Sequence, residues 1–210
     1  MTDSRTPFLI ALLLATIIAL VVSGWRPYER LTWVMEVAPV LIALPLLVAT
    51  RERYPLTTLL YLLIFVHALV LIAGGAYTYA RVPVGHWVQD AFSLSRNPYD
   101  KLGHFMQGFV PALIAREILL RGRHVQGRQM TAFLCICVAL AISAFYELIE
   151  WWSALALGQG ADDFLGTQGD TWDTQSDMLM ALIGAASAML MLARVHDRQL
   201  QELQSRAGPQ

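Results

Sequence analysis

Charge is what this 210-residue chain has least of. Asp, Glu, Lys and Arg make up 15% of it, against about 25% in an average soluble domain. So small a polar complement does not cover a soluble surface, and 56% of the residues are hydrophobic. The chain therefore reads as an integral membrane protein. Its net charge of −1 argues against nucleic acid as a partner. Cysteine is scarce too, with only Cys135 and Cys137. At i and i+2 they do not share a helix face and make a poor metal clip, so they read as small buried hydrophobes. No segment alternates with period two, which argues against a barrel. His-Glu-x-x-His, Gly-x-Ser-x-Gly and a P-loop are absent, so metalloprotease, serine hydrolase and ATPase readings have no support. No internal repeat stands out.

Long apolar runs are what the chain does have. A spanning helix needs about 20 mostly apolar residues. Six stretches qualify: Phe8–Gly24, Trp33–Thr50, Leu56–Ala80, Tyr99–Leu120, Met130–Leu157 and Thr174–Val195. The expected fold is all-α, a polytopic membrane bundle of about six transmembrane helices. One domain covers 1–195, and a polar, fraying tail covers 196–210. The first stretch is long for a signal-peptide core and lacks a strong cleavage site, so it reads as an uncleaved helix. Pro39 and Pro45 should kink the second. The fourth is the least apolar.

Orientation follows from Lys and Arg. With six spans, one side collects Arg5, Arg51, Arg53, Arg116, Arg121, Arg123, Arg128, Arg194, Arg198 and Arg206, and the other only Arg26, Arg30, Arg81, Arg96 and Lys101. The positive-inside rule then predicts a multi-pass membrane protein with both termini cytoplasmic. The lipid bilayer is its first partner, and the basic loop Arg121–Arg128 is a headgroup anchor. All six Trp (Trp25, Trp33, Trp87, Trp151, Trp152 and Trp172) fall near the opposite, outer interface, as an aromatic belt does.

The acidic residues crowd the same outer end, and carboxylates at a membrane edge are costly to place. Asp100 and His104, four apart, share a helix face, where a carboxylate can orient an imidazole. Asp100 alone has a plainer reading, an acid at a helix N-terminus. Glu147 and Glu150 share a face of the fifth helix, with Ser143 and Ala154 on the same stripe. At 1.5 Å per residue they lie about 15 and 10 Å below its outer end. Carboxylates that deep must pair, protonate or bind a cation.

The loop before the last helix carries Asp162, Asp163, Asp170, Asp173 and Asp177 with no basic residue. Asp162 and Asp163 read as solvated. Asp173 and Asp177 lead into a helix whose same face continues as Ala181, Gly184 and Ala188, small residues that let a neighbour approach closely. Glu36 is placed to join the cluster. His67 lies mid-helix, where hydrogen bonding to a neighbour is the plainer role. Glu117 pairs with Arg116 or Arg121 at the inner interface.

The predicted catalytic set is therefore Asp100, His104, Glu147, Glu150, Asp173 and Asp177, with His104, Glu147, Glu150 and Asp177 as the metal ligands. Carboxylates plus one imidazole suit a divalent cation such as Mg²⁺, Mn²⁺, Ca²⁺ or Zn²⁺.

Three pieces of the chain carry a resemblance: Tyr99-Asp-Lys-Leu-Gly-His-Phe105, Glu147-Leu-Ile-Glu-Trp-Trp152 and Phe164-Leu-Gly-Thr-Gln-Gly-Asp-Thr-Trp-Asp-Thr-Gln-Ser-Asp-Met178. They resemble the YjdF family of bacterial inner-membrane proteins over most of the chain. That resemblance implies no biochemical activity. A looser likeness is to VanZ-like membrane proteins, linked to glycopeptide (teicoplanin) resistance. Asp100, Lys101, His104 and Phe105 match their first motif, Glu147 the second, and Asp177 with Gly184 the third. Glu150 stands where Gln is common, and Ala181 replaces their Asn. This likeness implies that the three pieces form one envelope-facing site.

The functional expectation is a metal-assisted membrane enzyme acting on a lipid-linked or cell-wall-derived substrate. A small proton-coupled transporter and a non-catalytic envelope-binding accessory protein stand beside it. Neither turnover nor oligomeric state follows from the residues.

Overall fold

The computed structural model describes residues 5–157 and 167–207. Within them the chain is helical throughout: α1 (Thr6–Trp25), α2 (Arg30–Thr50), α3 (Thr58–Tyr77), α4 (Pro83–Phe92), α5 (Tyr99–Arg121), α6 (Arg128–Leu157), α7 (Asp173–Met191) and α8 (Ala193–Ala207). The result is a polytopic helical membrane bundle. Helices α1, α2, α3 and α6 are each long and apolar enough to span, and the α7–α8 pair qualifies as a fifth, bent span. Each of the six expected stretches is helical, with two departures. The sixth is not one straight rod, because α8 turns 62° away from α7 at Leu192. The fourth, α5, is too polar to qualify by composition.

That polarity has a structural reason. Helix α5 packs against α3, α6 and α7, and its buried residues include Asp100, His104, Arg116 and Glu117. It is the axis of the bundle, so its polar groups meet protein rather than lipid. The closest packing is with α7. A Cβ on Gly108 would collide with the backbone carbonyl of Ala181, and one on Gly184 with the carbonyl of Phe105. These reciprocal notches let the two backbones touch. Ala181, Ala185 and Ala188 continue the contact fully buried. On α6 the facing stripe is Thr131, Cys135, Ala139, Ser143 and Glu147, all buried and each four residues from the last, the spacing of one helix face. Cys137 is exposed, so the two thiols do lie on different faces.

The two ends of the bundle differ. One carries the α1–α2 turn, the 78–98 segment and the start of α7, tied by Tyr28 N–H to the Ala76 carbonyl and by Arg96 to the Thr167 carbonyl. The indole of Trp33 donates to Ser23 at this end. The other end carries the basic turns. There Arg5 donates to the Leu56 carbonyl and Arg121 to that of Pro55.

Helix α4 lies in a stretch the hydrophobic pattern left as loop. Ten residues reach only about 15 Å, too short to span. Pro83 starts it, it exposes Trp87 and Phe92, and Gly85 sits against Asn97. The tail does not fray at its root. Helix α8 continues to Ala207, His196 and Leu200 are buried in it, and Gln199 accepts from Leu59 N–H.

Candidate functional site

The α5–α7 notch decides where the polar groups fall. One turn from Gly108 and Phe105 toward the Trp-rich end come His104, Lys101 and Asp100. One turn from Ala181 come Asp177 and Asp173. Close backbone approach brings these side chains together by necessity.

Lys101, the only lysine in the chain, sits at their centre. Its ammonium lies 2.5 Å from Asp177 Oδ1, 3.0 Å from Asp173 Oδ1 and 2.6 Å from Ser176 Oγ. Arg96 covers the same group from above, 2.5 Å from Asp173, 3.2 Å from Asp100 and 3.3 Å from Asp170. These contacts are charge-assisted and short. Sequence reasoning counted Arg96 only toward topology, and Lys101 toward topology and the VanZ-like motif without giving it a place in the site. The signal was available, since Arg96 and Asp100 are at i, i+4 and Lys101 sits inside the motif.

His104 bridges to α6. Its Nε2 is 3.5 Å from Asp100 Oδ1 and 3.8 Å from Asp177 Oδ2. Its Nδ1 is 3.2 Å from Gln107 Oε1 and 3.8 Å from Glu147 Oε1. Asp100–His104–Asp177 and His104–Glu147–Glu150 each offer ligand atoms within 4.8 Å of one another. Glu147 is only 7% exposed, and its Oε1 is buried with no hydrogen-bond partner. Ser143, one turn deeper on the same face, likewise has a buried hydroxyl without a partner.

The six predicted residues therefore converge, but on two unlike halves. The Asp100–Asp173–Asp177 half is paired with Arg96 and Lys101, two cations against three carboxylates. The Glu147–Glu150 half meets no Lys or Arg among the described residues. Glu36, buried on α2, borders the cluster by accepting from the Tyr146 hydroxyl at 3.2 Å. Asp170 joins through Arg96. Asp162 and Asp163 lie outside the described residues. Gly169 takes the left-handed backbone (φ 83°) expected of a tight turn there.

Glu117 belongs elsewhere, at the far end of α5. It is fully buried and accepts from Thr57 Oγ1 at 2.9 Å, Thr57 N–H at 3.2 Å, Arg121 at 2.9 Å and His196 Nε2 at 3.0 Å. Arg116 does not pair with it. It lies 3.2 Å from His196 Nδ1 and donates to Asp197 at 2.6 Å. An arginine only donates, so His196 Nδ1 accepts and its Nε2–H is the donor to Glu117. His67, expected to bond a neighbouring helix, has a shielded Nε2 without a partner.

Fold and site together define a multi-pass helical membrane protein with a carboxylate–imidazole cluster between its tightest-packed helices. The family model described as "Predicted membrane protein (DUF2238)" matches residues 8–198, and the chain belongs to that family. It is 67% identical over 181 residues to the inner membrane protein YjdF of Escherichia coli (strain K12), covering 86% of this chain and 87% of that one. The YjdF-like resemblance is thereby established, and the protein is a multi-pass inner-membrane protein; the VanZ-like likeness finds no counterpart in these comparisons. No solved structure matches the chain.

Proposed function

We propose that this protein holds one divalent cation in an envelope-facing site between α5, α6 and α7, and acts there on a lipid-linked or cell-wall-derived substrate. One observation carries the reading. Glu147 Oε1 is buried and unpartnered beside Glu150 and His104, in the half of the cluster that no protein cation neutralises. Leaving a buried carboxylate oxygen without a donor is costly, and a cation ligated by Glu147, Glu150 and His104 removes that cost. The Asp177 side already holds an ammonium at 2.5 Å. A second cation there would face like charge, so Asp177 acts as a neighbour rather than a primary ligand.

When bound, such a cation polarises a substrate oxygen or lowers the pKa of a water. The chain's own groups prepare the site for it. Asp100 accepts from His104 Nε2–H and orients the ring. With its proton on Nε2, the ring carries the lone pair that would ligate on Nδ1, beside Gln107 Oε1 and Glu147 Oε1. Lys101 and Arg96 pair with Asp173 and Asp177 and fix their positions.

The outward facing rests on the excess of arginine at the opposite end and on the Trp belt at this one. Reporter fusions to the C-terminus should give a cytoplasmic signal. The carrier reading needs a polar route to the other face, and the aliphatic walls below His67 do not favour it. A binding accessory role would use the same cluster without turnover.

Elemental analysis of purified protein tests the proposal. We expect one divalent metal per chain in wild type, lost in Glu147→Gln and kept in Asp170→Asn. Wild type with no stoichiometric metal in any buffer would remove the reading's main support.

A further inference from the structure

A large cavity lies in the other half of the bundle and has no part in the site above. It occupies about 750 Å³ between α1, α2, α3 and α5, inside the size range of ligand sites. Helices α1 and α2 both pack on α3 but scarcely touch each other. Pro39 and Pro45 deprive α2 of two backbone hydrogen bonds on its way past the gap. The gap between α1 and α2 is this cavity.

Its shape and lining specify an occupant. Along α3 the wall runs from Tyr61 to Leu71, about 15 Å at helical rise, or half of a hydrocarbon core of about 30 Å. It therefore spans one leaflet. The wall is aliphatic and aromatic, with few polar atoms for water, and an apolar void in a membrane takes an apolar guest. At the interfacial mouth stand Arg51, Glu52 and Arg53. Arg53 is exposed, while Arg51 reaches Thr6 across the opening. The mouth triplet carries two cations and one anion, and Arg5 adds a third cation close by, donating to the Leu56 carbonyl.

We infer that this cavity is a binding site for one anionic glycerophospholipid of the leaflet on the Arg-rich side. One acyl chain fills the cavity, and the phosphate meets Arg51 and Arg53. Basic residues at a membrane surface favour anionic lipid by about 1 kcal/mol each, so two of them give roughly thirty-fold selectivity. His67 also lines this space, its buried Nε2 without a hydrogen-bond partner. An acyl chain passes it without bonding, so the inference assigns His67 no part in holding the lipid.

Native mass spectrometry of the full chain in detergent tests this, with phosphatidylglycerol or phosphatidylcholine of matched chains added back. Wild type should retain one phosphatidylglycerol under conditions that strip phosphatidylcholine. Arg51→Ala/Arg53→Ala should weaken retention about thirty-fold. Ala43→Trp should abolish it by filling the space, and Leu13→Phe does the same task if Ala43→Trp lowers the unfolding midpoint. His67→Leu should bind like wild type. Equal retention of the two lipids overturns the inference, as does undiminished binding in both cavity-filling variants. Loss in His67→Leu with the arginine variant unaffected also overturns it, and would point to a membrane solute that bonds His67 through a carbonyl or hydroxyl.

Discussion

Helix α5 carries a buried polar cluster at each end, and the two are built on opposite principles. At the Arg-rich end, Glu117 and Asp197 face Arg116 and Arg121, two acids against two bases, with His196 wired between them. Glu117 receives four hydrogen bonds, about as many as a carboxylate can accept. At the Trp-rich end, six carboxylates (Asp100, Glu147, Glu150, Asp170, Asp173 and Asp177) face Arg96 and Lys101, with His104 a third cation only if protonated. The first cluster is closed and holds α3, α5 and α8 together. The second is left with acid to spare, and one oxygen of Glu147 has no hydrogen-bond partner. A balanced buried network reads as structure, while an unbalanced one stores affinity for something the chain does not supply.

The same isosteric change at the two ends should therefore give opposite signs. Glu117→Gln strands Arg121 and His196, and we expect it to cost about 3–5 kcal/mol, read as a lowered midpoint in denaturant unfolding of the purified protein. A smaller loss, about 1–3 kcal/mol, is expected for Gly108→Val. Its added carbons push α5 off α7 and should weaken cation binding with stability, since both clusters hang on that contact. Glu147→Gln should instead leave the metal-free protein as stable as wild type or more so by about 1 kcal/mol, because it removes a buried unpartnered charge. Comparing its unfolding midpoint with that of wild type in chelator checks this. Loss of stability as large as in Glu117→Gln would mean the two ends are not different in kind.

The smallest effect lies outside both clusters, and pH isolates it. Glu29 caps α2, accepting from Leu31 N–H at 2.9 Å and Thr32 N–H at 2.5 Å. The backbone N–H groups of Thr32 and Leu31 hold its carboxyl below the usual value of 4.5. A depressed folded-state pKa stabilises above the unfolded value and is lost as pH falls through the folded one. The stability gap between wild type and Glu29→Gln should be about 0.5 kcal/mol near pH 7, discounted for solvent screening. It should close as pH drops below about 4.5.

Much of this was legible in the chain. Apolar runs gave away six helical stretches because lipid demands them, and i, i+4 spacing placed Asp100 with His104. The small residues Ala181 and Gly184 marked the face that α5 meets. Three things were not legible, each for a physical reason. Helix α4 is too short and too mixed to show against the hydrophobic background. The α7–α8 bend leaves no mark in the hydrophobic pattern, and the His196–Glu117 bond that ties α8 to α5 spans 79 positions. The split of the acidic cluster depends on which carboxylates Lys101 and Arg96 can reach, and spacing along one helix does not encode contacts to another.

Calorimetric titration of metal-stripped protein with Mn²⁺ tests the unbalanced-charge reading most directly. Wild type should bind one ion per chain, and Glu147→Gln none. Lys101→Met, which removes a cation beside the site, should still bind one ion, more tightly than wild type. If Mn²⁺ binding survives Glu147→Gln, or Lys101→Met binds no more tightly than wild type, charge compensation does not govern the site.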